Sequence, residues 1–281
     1  MQIAGQRWQK SMRSEGGQND RMALPEGPPL SDGDEMIPKG KTSRVVVWFS
    51  CGAASAVAAK LGVDEYGDRA IVVYCNTMAS EHQDNPRFMR DVEKWIGRDI
   101  LIIGGKYDSV DEVFKAERYM AGVRGAKCTV EMKKVPRFKF QEPDDVHVFG
   151  YTSEEGKRIR NFSDNNPELL TDWILLRHHL TKINCMEILM EAGIILPAMY
   201  QLGFKNNNCI GCVKATSPTY WNRVRKYFPA VFERRCQQSR ELGVKLVQIK
   251  RERVFLDQLP EAVEFQPEEN ISCGPECGVQ S

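Results

Sequence analysis

Val45-Val46-Val47-Trp48-Phe49-Ser50-Cys51-Gly52-Ala53-Ala54-Ser55 is the stretch on which the reading of this chain turns. Five consecutive apolar, β-favouring residues predict a strand buried on both faces of a parallel sheet. The Ser50–Ser55 turn and the small residues from Ala56 to Leu61 predict a tight entry into a helix that packs close to that sheet. Backbone N–H groups in such a turn can approach an anion. The helix N-terminus adds partial positive charge, and Ser50 and Ser55 add hydroxyls. The loop is neither GxxxxGK[ST] nor GxGxxG, so on spacing alone a phosphate cradle and a ligand-free turn are equal readings.

Outward from this point, Ile71-Val72-Val73-Tyr74, Ile100 to Ile103 and Val146-His147-Val148-Phe149 predict three more strands. A helix from Pro86 to Trp95 carries Phe88, Val92, Trp95 and Ile96 at helical spacing. Strands alternating with helices predict an α/β fold with a doubly wound, mostly parallel sheet. Thr181 caps a helix that runs to Ala192, and Ser217-Pro218 opens another. These make up a helical, cysteine-bearing C-terminal region of the domain spanning 44–259. Residues 1–43 hold one aromatic, Trp8, and no period, which predicts a disordered extension. Residues 260–281, rich in Pro, Glu and Gly, predict a mobile tail.

Of 281 residues, 39 are basic and 38 acidic, so net charge gives no reason to expect a polyanionic partner. The polar N-terminal stretch and the lack of any apolar run near about 18 residues predict a cytoplasmic protein with no membrane contact. Nine cysteines in that setting are buried small hydrophobes, metal ligands or reactive thiols rather than disulfides.

Two cysteine patterns stand out. Cys209-Ile210-Gly211-Cys212 follows Asn206-Asn207-Asn208, so it sits in a turn from which two thiolates can face one metal. Glu276-Cys277-Gly278 lies near the end of the sequence. A cradle, a CxxC and a terminal thiol together suggest sulfur chemistry on an adenine nucleotide.

Phe49-Ser50-Cys51-Gly52-Ala53-Ala54-Ser55 resembles the PP-loop, S-G-G-x-D-S, of the ATP pyrophosphatase-like (HUP-like) superfamily, and within it the assimilatory APS and PAPS reductases. Cys51 stands for the first Gly and Ala54 for the Asp, which disfavours Mg-dependent ATP cleavage and leaves binding of an activated adenylyl sulfate. Val73-Tyr74-Cys75-Asn76-Thr77 with Glu81, Arg87 and Phe88 is similar to the family's strand–D-T-G–helix stretch, with Asn76 for Asp. Phe149-Gly150-Tyr151 with Glu154 and Arg158 is similar to its anion-binding segment, in which Thr152 replaces an Arg. The resemblance implies nucleotide contacts from Ser50, Cys51, Gly52, Ala53, Ala54, Ser55, Asn76, Thr77 and Gly150. Arg158 and Arg160 are the candidates for the anion, since guanidinium forks suit phosphate and sulfate.

The CxxC, with Leu202-Gly203-Phe204 before it, resembles that of APS reductases, which hold a [4Fe–4S] cluster. Lys127-Cys128-Thr129 with Lys133, Lys134 and Pro136 is similar to their upstream Cys-Cys segment with one Cys missing. The implied ligands are Cys128, Cys209 and Cys212, with Cys185 chosen as the fourth and Cys236 as its substitute. Burial as a small hydrophobe is an equal reading of Cys185, and zinc suits four thiolates as well as a cluster. Cys51 and Cys75 are read as structural. Glu276-Cys277-Gly278 resembles the E-C-G-L-H tail whose thiolate attacks the sulfate sulfur, after which a thioredoxin-like reductant releases sulfite. Cys273 is a second thiol that could resolve the intermediate internally, or the pair Cys273 and Cys277 could bind metal.

The resemblance therefore implies a sulfonucleotide (APS or PAPS) reductase-like oxidoreductase of sulfate assimilation. A second reading is an ATP-dependent sulfurtransferase that thiolates tRNA or DNA. Its motive is the interleaving of Tyr220, Trp221, Arg223, Arg225, Lys226, Tyr227 and Phe228, although an amphipathic helix with a solvated basic face explains that stretch too. A third reading, motivated by Ala54, Asn76 and Thr152, is a nucleotide-binding relative without catalysis.

Overall fold

Every residue of strand β1 (Val45–Phe49) is buried, and its two faces meet different partners. Val45, Val47 and Phe49 face one core, whereas Val46 and Trp48 face another. This is the environment a continuous apolar strand requires. The computed structural model describes residues 43–123, 125–261, 268, 271 and 273. Apart from Ser43, the predicted N-terminal extension lies outside these residues.

Helix α1 (Ala53–Tyr66) follows β1 and crosses it closely: a Cβ on Gly62 would lie 2.8 Å from Val47 Cγ2. The run of Ala and Gly in α1 is what lets it approach so near. Then come β2 (Ala70–Cys75), α2 (Asn85–Ile96), β3 (Leu101–Ile103) and α3 (Val110–Glu117). After α4 (Val135–Phe140) the chain forms β4 (Val146–Phe149), α5 (Gly156–Asn165), β5 (Leu170–Asp172) and α6 (Lys182–Glu191). The five strands pair in the order β3-β2-β1-β4-β5, all parallel.

α1 packs between the sheet and helices α2 and α6. On the opposite face, Ile159 and Phe162 of α5 cover Trp48 and Phe149. Helices on both faces make the sheet doubly wound. Arg44 and Asp145 join the starts of β1 and β4 through a two-pronged ion pair, with Nε–Oδ1 at 2.6 Å and Nη2–Oδ2 at 3.0 Å. Because β2 and β4 flank β1 on either side, the strand order reverses there. The crevice beyond the C-terminal ends of β1 and β4 is thus the topological switch point, where open α/β sheets take their ligands.

A third core, separate from the sheet, gathers α3, α7 (Pro218–Tyr227), α8 (Pro229–Glu241) and the loop bearing Cys209 and Cys212. Trp221 sits at its centre, fully buried, with its indole N–H on Ala215 O at 2.9 Å. Among the described residues no helix is long and apolar enough to cross a membrane.

Candidate functional site

The loop after β1 is built around one hydroxyl. Ser55 Oγ accepts from Ser50 N at 3.1 Å, from Gly52 N at 3.3 Å and from Ser50 Oγ at 3.2 Å, and it donates to Gly52 O at 3.0 Å. Cys51 carries a φ of 55°, in the left-handed region that glycine tolerates and other residues enter at a cost of about 1–2 kcal/mol. Its side chain is wholly buried.

β4 enters the same place through Gly150. A Cβ there would lie 2.8 Å from both Cα and N of Ser55, so only glycine permits this approach of two backbones. Tyr200, from a short helical turn at Ala198–Gln201, closes the loop from another side, its hydroxyl accepting from Ala53 N at 3.3 Å.

These residues wall a small cleft beyond the ends of β1 and β4. Ser50, Gly52, Ala54, Ser55 and Gly150 form one side, and Asn206, Asn207, Asn208, Ile271 and Cys273 the other. Among the described residues lining it, Lys182 is the one cation. Burial pulls its ammonium down to about 8, against the pull of Glu155 and Glu154.

Asn207 ties the two walls together. Its Nδ2 donates to Cys51 O at 2.7 Å and to Asn85 Oδ1 at 2.8 Å. Both partners are acceptors, which fixes the orientation of the amide. Its Oδ1 is left buried and without a partner among the described residues, an acceptor available to a hydroxyl or amine of a bound molecule.

Several predicted contacts fall elsewhere. Asn76 is exposed and accepts from Met78 N at 3.2 Å. Thr77 is buried in a network in which its hydroxyl donates to Glu81 Oε1 at 2.5 Å and Asn85 Nδ2 donates to Glu81 Oε2 at 2.6 Å. Arg158 pairs with Glu155 and lies over the Tyr151 ring, and Arg160 is exposed on α5. None of these four lines the cleft. Lys182, Tyr200 and Asn207 do, and no local sequence signal marked them for it. The run Asn206-Asn207-Asn208 was read only as a turn.

Cys209 and Cys212 sit on a loop held from several directions. Gly211 takes φ 68°, Cys212 N donates to Tyr220 Oη at 2.8 Å, and Ile210 N donates to Ser80 O at 2.9 Å. Beneath it, the buried Arg235 donates from Nε to Gly211 O at 3.1 Å and is anchored by Asp111. Cys128 comes from the turn Lys127–Thr129, which runs on into a wide helical turn over Val130–Lys134.

The structure brings Cys128, Cys209 and Cys212 into one neighbourhood, together with Cys273. Cys212 hydrogen-bonds Cys273, and this, ahead of burial, drives the Cys212 thiol well up. The same bond holds Cys273 well below the ordinary thiol range, against burial and with help from Lys133 and Lys214. Burial pushes up Cys209 and Cys128, each of which also feels the charge of Cys273. Lys133 is buried among these thiols. Burial opposes its charge, but Cys273, Cys209 and Glu81 outweigh it and keep it protonated.

Cys185 is not part of this group. Its side chain packs wholly buried in the sheet core with Leu189, where burial raises it to about 12. On α6, spacing with Ile188 and Leu189 allowed burial as readily as ligation, and burial is what the packing shows. Cys236 shares the third core, but its charged neighbours are Glu233, Asp257 and Arg225 rather than the other thiols. Cys51 and Cys75 are buried at the ends of β1 and β2. Cys277 lies outside the described residues. Among the described residues, no group of three or more His, Cys, Asp or Glu side chains is arranged to hold a metal ion.

The basic and aromatic stretch of α7 is divided: Lys226 and Tyr227 are exposed, and Arg223, Arg225 and Phe228 are half-buried. Tyr220 and Trp221 are core residues, Arg223 pairs with Glu268, and Arg225 donates to Leu259 O at 2.6 Å. No protein-family model matches the chain, and no curated protein matches it.

Proposed function

We propose that this chain is a sulfonucleotide reductase-like enzyme of the PP-loop, HUP-like type, which binds an adenylyl sulfate in the cleft and reduces it to sulfite. The carrying observation is the position of the cleft. It lies at the sheet's switch point, lined by the strand–loop–helix cradle and by Cys273 and Asn206 to Asn208, the residues that lead into the Cys209–Cys212 loop. Phosphate suits the cradle and Lys182, while the buried Oδ1 of Asn207 suits a ribose hydroxyl or an amine. The sulfo group would then face the cysteine side.

In the proposed reaction the Cys277 thiolate attacks the sulfo sulfur. An S–S bond forms, the S–O bond to the phosphate breaks, and the adenylate leaves with that electron pair. A dithiol reductant of the thioredoxin class then attacks Cys277 Sγ. Sulfite departs with the S–S electron pair, and the reductant closes to its disulfide. Cys128, Cys209 and Cys212 would supply three of the thiolates of a [4Fe–4S] cluster, the donor chemistry such a group takes. When bound, it would supply a polarising centre beside the sulfo group.

The sulfurtransferase reading needs nucleic-acid contacts; of the groups that suggested them, Tyr220 and Trp221 are buried, Arg223 and Arg225 are engaged by Glu268 and the Leu259 carbonyl, and Lys226 and Tyr227 remain exposed. The deciding experiment incubates the anaerobic protein with radiolabelled APS, PAPS and ATP in turn. Protein-bound sulfite from APS or PAPS, absent in Cys277→Ser, is expected. Sulfite release by Cys277→Ser at the wild-type rate removes the terminal thiol from the mechanism. Conversion of ATP to AMP and pyrophosphate in the presence of tRNA or DNA overturns the reductase reading.

A further inference from the structure

We propose that a cationic hairpin at the edge of the third core docks on the phosphate backbone of duplex DNA, a partner that the chemistry of the cleft does not require. The inference is independent of what the cleft binds.

The hairpin consists of strands β6 (Val247–Ile249) and β7 (Glu252–Val254), which pair antiparallel with Ile249 opposite Glu252. That register leaves Lys250 and Arg251 as a two-residue turn, at φ 46° and 73°. Two successive left-handed residues make the tight turn that Asn-Gly ordinarily fills without strain. Lys and Arg enter that region against the clash of Cβ with the backbone. The tip therefore carries two cations at positions where an unstrained, uncharged pair would serve the turn better. Val247, Ile249 and Val254 pack on the third core. This turns Gln248 and Arg253, the pair between them, to the outer face.

Residues 216–255 hold ten Lys or Arg and three Asp or Glu, so this part carries +7 in a chain of net charge +1. The overall balance hides that local excess. Part of it is neutralised inside the fold. Arg223 pairs with Glu268, Arg234 and Arg235 pair with Asp111, and Arg240 pairs with Asp257. Lys245, Lys250, Arg251 and Arg253 are exposed, and among the described residues no carboxylate pairs with any of them. Arg253 Nη1 donates to Leu246 O at 3.1 Å and Lys245 Nζ lies 5.7 Å from the centre of the Phe255 ring, contacts that leave both charges uncompensated. From β7 the chain runs on to α7, where Leu259 O accepts from Arg225 and Pro260 O from Asn222. Lys226 is exposed there, again with no carboxylate partner among the described residues.

Solvated, unpaired cations on a narrow protrusion suit phosphates, whose neutralisation releases condensed counterions. A two-stranded ribbon also fits the major groove of a B-form duplex. Residues 247–254 include no aromatic side chain on which the bases of a single strand could stack. The tip has no apolar side chain to enter a membrane. Duplex DNA is therefore the polyanion this surface fits.

The test follows the fluorescence anisotropy of a labelled short DNA duplex with the full chain, at salt concentrations from about 50 to about 200 mM. The double variant Lys250→Asn, Arg251→Gly removes two charges and gives the turn its preferred residues. Its melting temperature should equal or exceed that of the wild type. Its affinity for the duplex should nonetheless fall by on the order of tenfold, and the slope of log K against log salt by about two. Arg253→Gln, which leaves the turn untouched, should weaken binding as well and lower the slope by about one. Further arms use the single strand and vesicles containing phosphatidylserine. Absence of duplex binding at the lowest salt overturns the proposal, as does unchanged affinity in the folded double variant. Tighter binding to the single strand or to the vesicles than to the duplex overturns it too. Protein-bound sulfite from APS or PAPS is measured separately and bears on the cleft alone, so the two readings fail independently.

Discussion

The two walls of the cleft are built on different plans. The cradle wall is one continuous stretch, Ser50 to Ser55, shaped by backbone hydrogen bonds to a single hydroxyl and closed by Gly150. The other wall, Asn206 to Asn208, Ile271 and Cys273, adjoins thiols gathered from Cys128 and the Cys209–Cys212 loop, a loop held by Tyr220 of α7, which accepts from Cys212 N, and by Arg235 of α8, which donates to Gly211 O and pairs with Asp111. A local plan is stable to changes elsewhere. A gathered plan fails when any contributor is lost, and that difference is open to experiment.

The largest effect should come from the gathered wall. Cys209→Ala should abolish cluster assembly, seen as loss of iron and colour. Affinity for AMP, measured by calorimetry, should stay within about threefold, because the cradle is built from other residues. A parallel collapse of AMP binding would show that the walls fold as one unit.

Acid should act on the sheet instead. His147 is buried beside the Trp48 and Phe149 rings, its Nδ1 accepting from Trp48 Nε1 at 3.0 Å, and burial lowers it to about 4. In the unfolded chain the imidazole takes a proton near pH 6.5, while in the folded chain it stays neutral down to about 4. Stability from this group is therefore fully present above pH 6.5 and is lost as pH falls through that window. The loss is about 3 kcal/mol at most. Denaturant titrations at pH 7 and pH 4.5 should show it, and His147→Gln should flatten the difference.

Gly150→Ala would break the cradle wall locally. The new Cβ meets backbone rather than a side chain that can yield, so a cost of about 1–3 kcal/mol is expected. AMP binding should be lost while iron content stays at the wild-type level. The smallest effect concerns Lys182. As pH rises through about 8 its charge is lost, so affinity for a sulfonucleotide should fall. Lys182→Met should weaken binding by on the order of tenfold, equivalent to about 1.4 kcal/mol, and remove that pH dependence.

The same contrast explains what the sequence could tell. β1, β2 and β4, the Thr181 and Ser217 caps and the Pro218 start are all written in neighbouring residues, and the structure has them. Strand β5 was missed because Leu170-Thr171-Asp172 is too short and too polar to stand out from a loop. The doubly wound sheet was legible because periodicity and turn residues act locally. The identity of the fourth thiol beside Cys212 was not. Nothing within a few residues of Cys273 or Cys185 encodes which of them faces the CxxC loop, and only the packing of α6 on α1 takes Cys185 away. Lys182 and Asn207 were illegible for the same reason. Each is an ordinary polar residue until Tyr200 and Cys51 are brought against it.

The anchorage of Cys273 also sets a concentration. Three residues lie between it and Cys277, and the four steps of chain span at most about 14 Å even when fully extended. A thiol confined to a sphere of that radius is present at on the order of 0.1 M around the cleft. The proposed attack on the sulfo group would therefore draw on a high effective molarity set by a short leash. Lengthening the leash by a few residues would dilute the nucleophile without touching a single contact in the cleft.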